Sequence, residues 1–384
     1  MKKSKLILVI STLLIVFSLL AGCAAPEPTT PSSSLATPTD SSTAANPTVT
    51  PGSSVNLTIT DALGRSVTLD ALPQKIVVAG KASTLILDTM YMFPEAVDRV
   101  VSYSKTSQTG KNFLAVVDQK LGEKTAFENN VGPEQIAPLK PDLVILKDYL
   151  KDSLGAPLEA LGIKVVYLNL ETTETFARDV RTIGQIFGDP ARAESIVAYY
   201  EKSVAAVTDP LKDLKDADRP NALLLQYSNK GGAVAFNVPP AQWLQTDLVN
   251  LAGGKPVWLE TSTQGGWAVV TLEQIAAWNP DMIFIVDYSG NAVDVVAQLK
   301  TDMNWSVLNA VKNSKIYAFP VDFLSWDQAD PRWSLGLTWL ATRLQPQYFS
   351  AVDMTSEVTT FYKTLYNLDD ATIKDKVLPI VKGD

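Results

Sequence analysis

EQIAPLKPDLVIL, residues 134–146, returns as EQIAAWNPDMIFI at residues 273–285. Glu-Gln-Ile-Ala, a fixed gap, Pro-Asp and an apolar run recur at a constant offset of 139 residues. That offset is far longer than a solenoid unit and close to the size of a small domain. The repeat therefore predicts two similar α/β lobes, each holding one helix–loop–buried-strand unit. A chain of two lobes places its working surface in the cleft between them.

The pattern around the repeat is alternating strand and helix. Leu57–Thr60 and Ser66–Leu69 read as a hairpin turning at Gly64. Short β-branched or apolar runs at Lys75–Ala79, Leu143–Leu146, Val165–Leu168, Ala222–Gln226 and Lys315–Phe319 read as strands. Helical segments between them give the βαβ rhythm of a mostly parallel sheet. Between the lobes the punctuation is sharp. Gly188 ends one helix, Asp189 caps the next, Pro190 sits in its first turn, and no breaker follows until Pro210. Such a helix spans roughly 27 Å and acts as a strut.

The N-terminus sets the cellular context. Lys2, Lys3 and Lys5 precede an apolar core, Leu6–Leu20, which closes on Leu20-Ala21-Gly22-Cys23. The apolar run is too short for an ordinary membrane span. It resembles the lipobox of bacterial lipoproteins, which implies cleavage before Cys23 and a lipid on that cysteine, the only one in the chain. An ordinary cleaved secretory signal is the alternative. From Ala24 to Ser54 the chain is dominated by Pro, Ser, Thr and Ala with no aromatic residue, and reads as a disordered tether of roughly 30 Å r.m.s. span. The expected organisation is a signal peptide at 1–22, a tether at 23–54, a first lobe at 55–188 and a linker helix at 189–209. A second lobe at 210–349 and a helical segment at 350–384 complete it.

Composition excludes much chemistry. The chain has no histidine, so histidine general bases, Ser-His-Asp systems and His-based zinc sites are impossible. No phosphate-binding glycine loop is present. The net charge of −8 becomes −11 once three signal lysines are removed, which argues against nucleic acid as a partner. These exclusions favour binding over catalysis, and the chain is expected not to be an enzyme and to carry no cofactor.

Together, four features resemble the class III solute-binding proteins of ABC importers, which serve ferric siderophores, cobalamin and haem. They are the Asp61–Arg65 hairpin followed by Pro73–Val78, both Glu-x-Ile-x₄-Pro-Asp units, the single helix between lobes, and Ser325–Trp333 entering an apolar helix. The resemblance covers about residues 55–350. It implies two Rossmann-like lobes joined by one long helix, with the ligand in the cleft between them. It also implies that Glu134 and Glu273, one on each lobe, dock into arginine pockets of the membrane permease; the bland alternative is helix-first-turn acids placed by the macrodipole. The expected function is a lipid-anchored, extracytoplasmic, monomeric receptor for a metal chelate, a ferric siderophore first and cobalamin second. A sugar- or oxyanion-binding receptor, and a surface hydrolase using a carboxylate pair, remain as alternatives.

Ligand contacts are read from the rule that open α/β sheets bind beyond the carboxyl ends of their strands. That rule nominates Lys81, Lys147 and Tyr149 from the first lobe and Gln226, Tyr227, Asp287 and Tyr288 from the second. All eight tryptophans lie at or after Trp243. Trp339 and Trp278 read as packing, whereas Trp243, Trp267 and Trp326 sit in Gly-, Pro- or polar-rich loops and are candidate ligand contacts. Arg332 starts a helix, where its charge opposes the dipole. A bound anionic group or the nearby Asp327 would resolve that conflict, so Asp327 and Arg332 complete the candidate set, with a structural role for Arg332 as the alternative.

Overall fold

The computed structural model describes residues 56–105, 108–261 and 265–383. The signal peptide, the lipidation site Cys23 and the tether to Ser54 lie outside them.

The repeated segment builds the same device twice. In each copy the glutamine caps its own helix: Gln135 Oε1 accepts from the Gly132 amide at 3.3 Å, and Gln274 Oε1 from the Thr271 amide at 2.9 Å. The isoleucine that follows, Ile136 or Ile275, is fully buried. Lys140 and Asn279, at equivalent positions, both turn the chain through left-handed backbone with φ of 49° and 43°. The Pro-Asp carboxylate then latches the start of a neighbouring strand. Asp142 accepts from the Gln74 and Lys75 amides at 2.8 and 2.9 Å, and Asp281 from the Asn221 amide at 2.8 Å. The apolar runs behind these latches are central strands with every residue buried, as strands covered on both faces require.

Among the described residues thirteen strands result: β1 (Leu57–Thr60), β2 (Ser66–Leu69), β3 (Ile76–Val78), β4 (Val100–Ser104), β5 (Thr125–Phe127), β6 (Leu143–Lys147), β7 (Val165–Leu168), β8 (Asn221–Lys230), β9 (Ala233–Val238), β10 (Lys255–Pro256), β11 (Ala268–Val270), β12 (Met282–Val286) and β13 (Ile316–Ala318). β1 and β2 form the expected hairpin; Gly64 supplies φ 73° and the Asp61 carboxylate accepts the Leu63 and Arg65 amides. The first-lobe sheet has the order β5-β4-β3-β6-β7, all parallel. The second has β11-β9-β8-β12-β13 with β10 also on β8; β8, β12 and β13 are parallel, while β9 and β11 are antiparallel additions. In each lobe the strand order reverses beside a central strand, at β3/β6 and at β8/β12. Those two switch points open the crevices where ligands are held.

One helix, Pro190–Thr208, joins the lobes. Asp189 Oδ1 caps it by accepting from the Arg192 amide at 2.9 Å. Its Tyr200 ring packs on Phe176 of the first lobe at 4.7 Å and stacks on Trp333 of the second at 4.9 Å, while the hydroxyl donates to the Pro331 carbonyl at 2.8 Å. The C-terminal helix, Met354–Tyr366, fastens both lobes: Tyr366 donates to the Asp88 carbonyl at 2.9 Å, and Arg192 donates to the carbonyls of Thr364 and Leu365.

The lobes also share a buried charge cluster. Arg332, fully buried, donates to Asp88 of the first lobe at 2.6 Å and to Asp330 at 2.9 Å, and lies 2.7 Å from Asp322. Its Nε donates to Tyr362, whose hydroxyl donates to Asp322 at 2.6 Å. The guanidinium lies 4.6 Å over the Phe113 ring, so its π-face is covered as well. Three carboxylates around one cation leave an excess of negative charge out of reach of water, and protons relieve it. Burial pushes Asp88 up to about 6 and Asp330 up to about 7, with Arg332 opposing both shifts.

Both values exceed the roughly 3.9 of an aspartate in an unfolded chain. The folded state therefore holds protons that the unfolded state has released. The stability these groups contribute is complete below about pH 4 and is lost as pH rises through 6 to 7, at about 1.4 kcal/mol per pH unit for each proton. The expected result is a lower melting temperature at about pH 8 than at about pH 5.5, with Asp88→Asn flattening the difference. A wild-type melting temperature that climbs over that interval would contradict it.

Candidate functional site

The chain leaves β3 through Ala79-Gly80-Lys81-Ala82, where Gly80 has φ 83° and Ala82 has φ 58°. That tight exit turns it into the helix Ser83–Met90 at the first-lobe switch point. The exits of β6 and β7 add Asp148 and Tyr149, then Asn169 and Glu171. Facing them, the second lobe presents Trp243 and Gln245 at the head of the helix Leu244–Leu251, Trp267 just before β11, and Tyr288 just beyond β12. These side chains line a cavity of about 500 Å³ between the lobes, floored by Leu85, Gln328 and Ala329.

A second chamber of about 600 Å³ adjoins it and shares Trp267 and Tyr288 as its wall. It is lined by Gln226, Tyr227, Asn237 and Asp287 at the carboxyl end of the second sheet, and by Gln108 from the first lobe. Gln108 and Gln328 close the boundary between the chambers with reciprocal amide bonds of 2.9 and 2.7 Å. Thr109 ties the lobes beside it, its amide donating to the Tyr288 carbonyl and its hydroxyl to the Phe323 carbonyl at 2.6 Å.

Seven of the twelve nominated ligand residues therefore meet: Tyr149, Trp243, Trp267 and Tyr288 in the first chamber, and Gln226, Tyr227 and Asp287 with Trp267 and Tyr288 in the second. Trp243 and Trp267 stand edge to face at 5.8 Å, and Trp267 and Tyr288 at 6.2 Å. Both pairs take the edge-to-face arrangement that aromatic rings favour. Burial pushes the Tyr149 hydroxyl up to about 12, with Glu171 and Asp148 adding to the shift.

Five nominated residues stand elsewhere. The Lys81 side chain is exposed and lines neither chamber; its carbonyl accepts from the Tyr149 hydroxyl at 3.1 Å. Trp326 is 1% exposed and belongs to the core, because Gly336 lets the next helix pack directly on the Trp326 carbonyl. Asp327 is buried behind the wall, its Oδ2 accepting from Tyr288 at 3.0 Å and Gln245 at 3.3 Å. It orients wall residues without reaching the cavity, and burial pushes its carboxyl above the ordinary range. Arg332 is spent on the interlobe aspartates. Lys147 is likewise fully buried, donating to Glu171 at 2.6 Å and to the Asn169 carbonyl. Trp339 packs on Phe284 and Phe319 in the core, as read from the sequence.

Asp148, Asn169, Glu171, Gln245 and Gln328 were missed. The first three follow β6 and β7 directly, so the carboxyl-end rule, carried through every strand, finds them. Gln245 and Gln328 carry no comparable local signal. Among the described residues, no group of three acidic, cysteine or histidine side chains is placed to hold a metal. A further groove of about 610 Å³ runs between the helices Thr173–Phe187 and Pro190–Thr208. Its arginines are already engaged, Arg178 by Asp179 and Arg181 by Glu194, and it has no strand end feeding it. The interlobe cleft is the better built site.

Known proteins agree with this architecture. A family model described as periplasmic binding protein matches residues 76–322. The molybdate-binding protein MolA of Haemophilus influenzae is 25% identical over 341 residues, covering 82% of this chain and 93% of that one. An iron-uptake system-binding protein of Bacillus subtilis is 22% identical over 216 residues, 56% of this chain and 64% of that one. A periplasmic solute binding protein from Veillonella parvula superposes with a TM-score of 0.67 over 84% of this chain and 97% of its own, at 24% identity.

Proposed function

We propose a cargo and a docking mode for this chain, which belongs to the periplasmic binding protein family and is a solute-binding protein of an ABC importer. Its cargo is a metal chelate, a ferric siderophore before cobalamin, held between the lobes and released to a membrane permease. The observation that carries this reading is the aromatic cleft. Two chambers of about 500 and 600 Å³ meet at Trp267 and Tyr288, a space suited to a bulky, partly apolar molecule. Metal enters already wrapped, since the cavity walls supply no ligand cluster of their own among the described residues.

Lipidation of Cys23 and the tether behind it would hold the body at the outer face of the cell membrane, within reach of the permease. Glu134 and Glu273, exposed on the first turns of equivalent helices, are the docking carboxylates. The body works as a monomer, because cargo and permease sites both lie within one chain.

One observation favours a second reading, an oxyanion cargo: a relative that matches 82% of this chain and 93% of its own length is named for molybdate. Against it, a five-atom oxyanion would leave most of such a cleft to water, and among the described residues Lys230 of the second chamber is the sole lysine or arginine lining either chamber.

Intrinsic fluorescence separates the two, because Trp243 and Trp267 stand in the wall. Titration with ferric siderophores, cobalamin, haem, molybdate and sugars is expected to give saturable sub-micromolar quenching by one metal chelate. Quenching by molybdate alone would replace the chelate with an oxyanion; a response to sugar alone would overturn both.

A further inference from the structure

Among the described residues, the first chamber offers acceptors and aromatic rings and no positive charge. Asp148 and Glu171 line it, and Lys147 beneath them is fully buried against Glu171. That one ammonium offsets one of the two carboxylates and leaves the wall negative.

Gln245 adds an independent sign. It is 4% exposed and lines the chamber. Its amide nitrogen donates to Asp327 at 3.3 Å, and its Oε1 is a buried acceptor without a donor. Such an atom is unfavourable until a donor reaches it. Tyr149, Trp243 and Trp267 line the same chamber, and aromatic ring faces attract a cation through their quadrupoles. Acceptor, carboxylate and aromatic faces converge on one kind of group.

Resting on the reading of this cleft as the cargo site, we infer that the cargo presents an ammonium or alkylammonium nitrogen to Asp148 and Gln245, within the faces of Tyr149, Trp243 and Trp267. The metal-bearing or bulky remainder then extends past Trp267 and Tyr288 into the second chamber. An anionic arm in the first chamber would meet carboxylate with no guanidinium or ammonium free to answer it.

The test uses a matched pair of probes on the full chain: a ferric trihydroxamate chelate with a free terminal ammonium, and the same chelate with that amine acetylated. Titrated by tryptophan quenching at low salt, the ammonium form is expected to bind at least about tenfold more tightly. The ratio should shrink as salt screens the charges. Asp148→Asn, which leaves the Lys147–Glu171 pair intact, should reduce the ratio to less than about threefold. Tyr149→Leu, at a side chain 57% exposed and therefore safe for folding, should reduce it several-fold independently. Equal binding of both forms, or tighter binding of the acetylated one, overturns the inference and leaves the chelate receptor standing. Binding of neither form, with or without a response to molybdate, overturns both.

Discussion

Arg332→Ala is expected to cost about 3–5 kcal/mol of stability, because it strands buried carboxylates without their cation. In a body of this size that corresponds to a fall in melting temperature of roughly 10 °C. Cargo affinity, measured where both proteins are folded, should stay within about threefold of wild type. The reason is geometric: Arg332 lines neither chamber, and its partners are Asp88, Asp322 and Asp330. Arg332→Lys should recover only part of the loss, since one ammonium cannot reach three carboxylates and Tyr362 in a planar fork. Normal melting with lost affinity would return Arg332 to the ligand and refute the structural role.

The same residue marks where sequence stops informing. Its position at a helix start demanded an anion, and that demand was real. The anion proved internal: Asp88 lies 244 residues away in the chain, and no local pattern connects the two. Asp327, the nearest obvious partner in sequence, turns instead to Tyr288 and Gln245. Trp326 failed for a similar reason. Its loop is polar, yet Gly336 in the following helix allows an approach that seals the ring inside.

Local chemistry was legible wherever it was local. Capping glutamine, left-handed turn and latching aspartate recur within thirteen residues, so the repeat disclosed both lobes. Tyr149 and Tyr288 follow strands directly and were found by strand ends alone, whereas Tyr227, expected just beyond a strand ending at Gln226, lies inside β8, which runs on to Lys230. Lys147 obeyed the same rule and still missed the cavity, because it is the last residue of β6 and its stem runs down to Glu171 beyond β7. Alternation along a strand decides which of two successive residues faces the cleft, and a single short strand does not reveal which. The acceptor character of the first chamber was only partly legible, since Asn169 and Glu171 follow β7 but Gln245 comes from a separate helix.

The second large effect concerns delivery. Glu134→Ala with Glu273→Ala is expected to abolish uptake while cargo affinity stays within about twofold and the melting temperature within about 2 °C. Neither carboxylate is needed to cap its helix, because Gln135 and Gln274 already do so. The first-lobe helix spans only Pro133–Ile136 and the second only Leu272–Trp278, so a macrodipole gives weak reason for an acid at either site. Glu273 is held below the usual carboxylate range by a backbone amide and then the Thr271 hydroxyl, so it stays ionised. Each carboxylate can take one arginine of the permease through two parallel bonds. Truncating one member of such a pair at an interface costs about 2–5 kcal/mol, so a single substitution should lower the uptake rate at least roughly tenfold. Two anchors on rigid lobes also fix orientation, which one anchor does not, so the double variant should fall below the product of the singles. Unchanged transport in the double variant would leave the repeated glutamates as surface acids, and the permease would then have to recognise some other pair of features that the two lobes share.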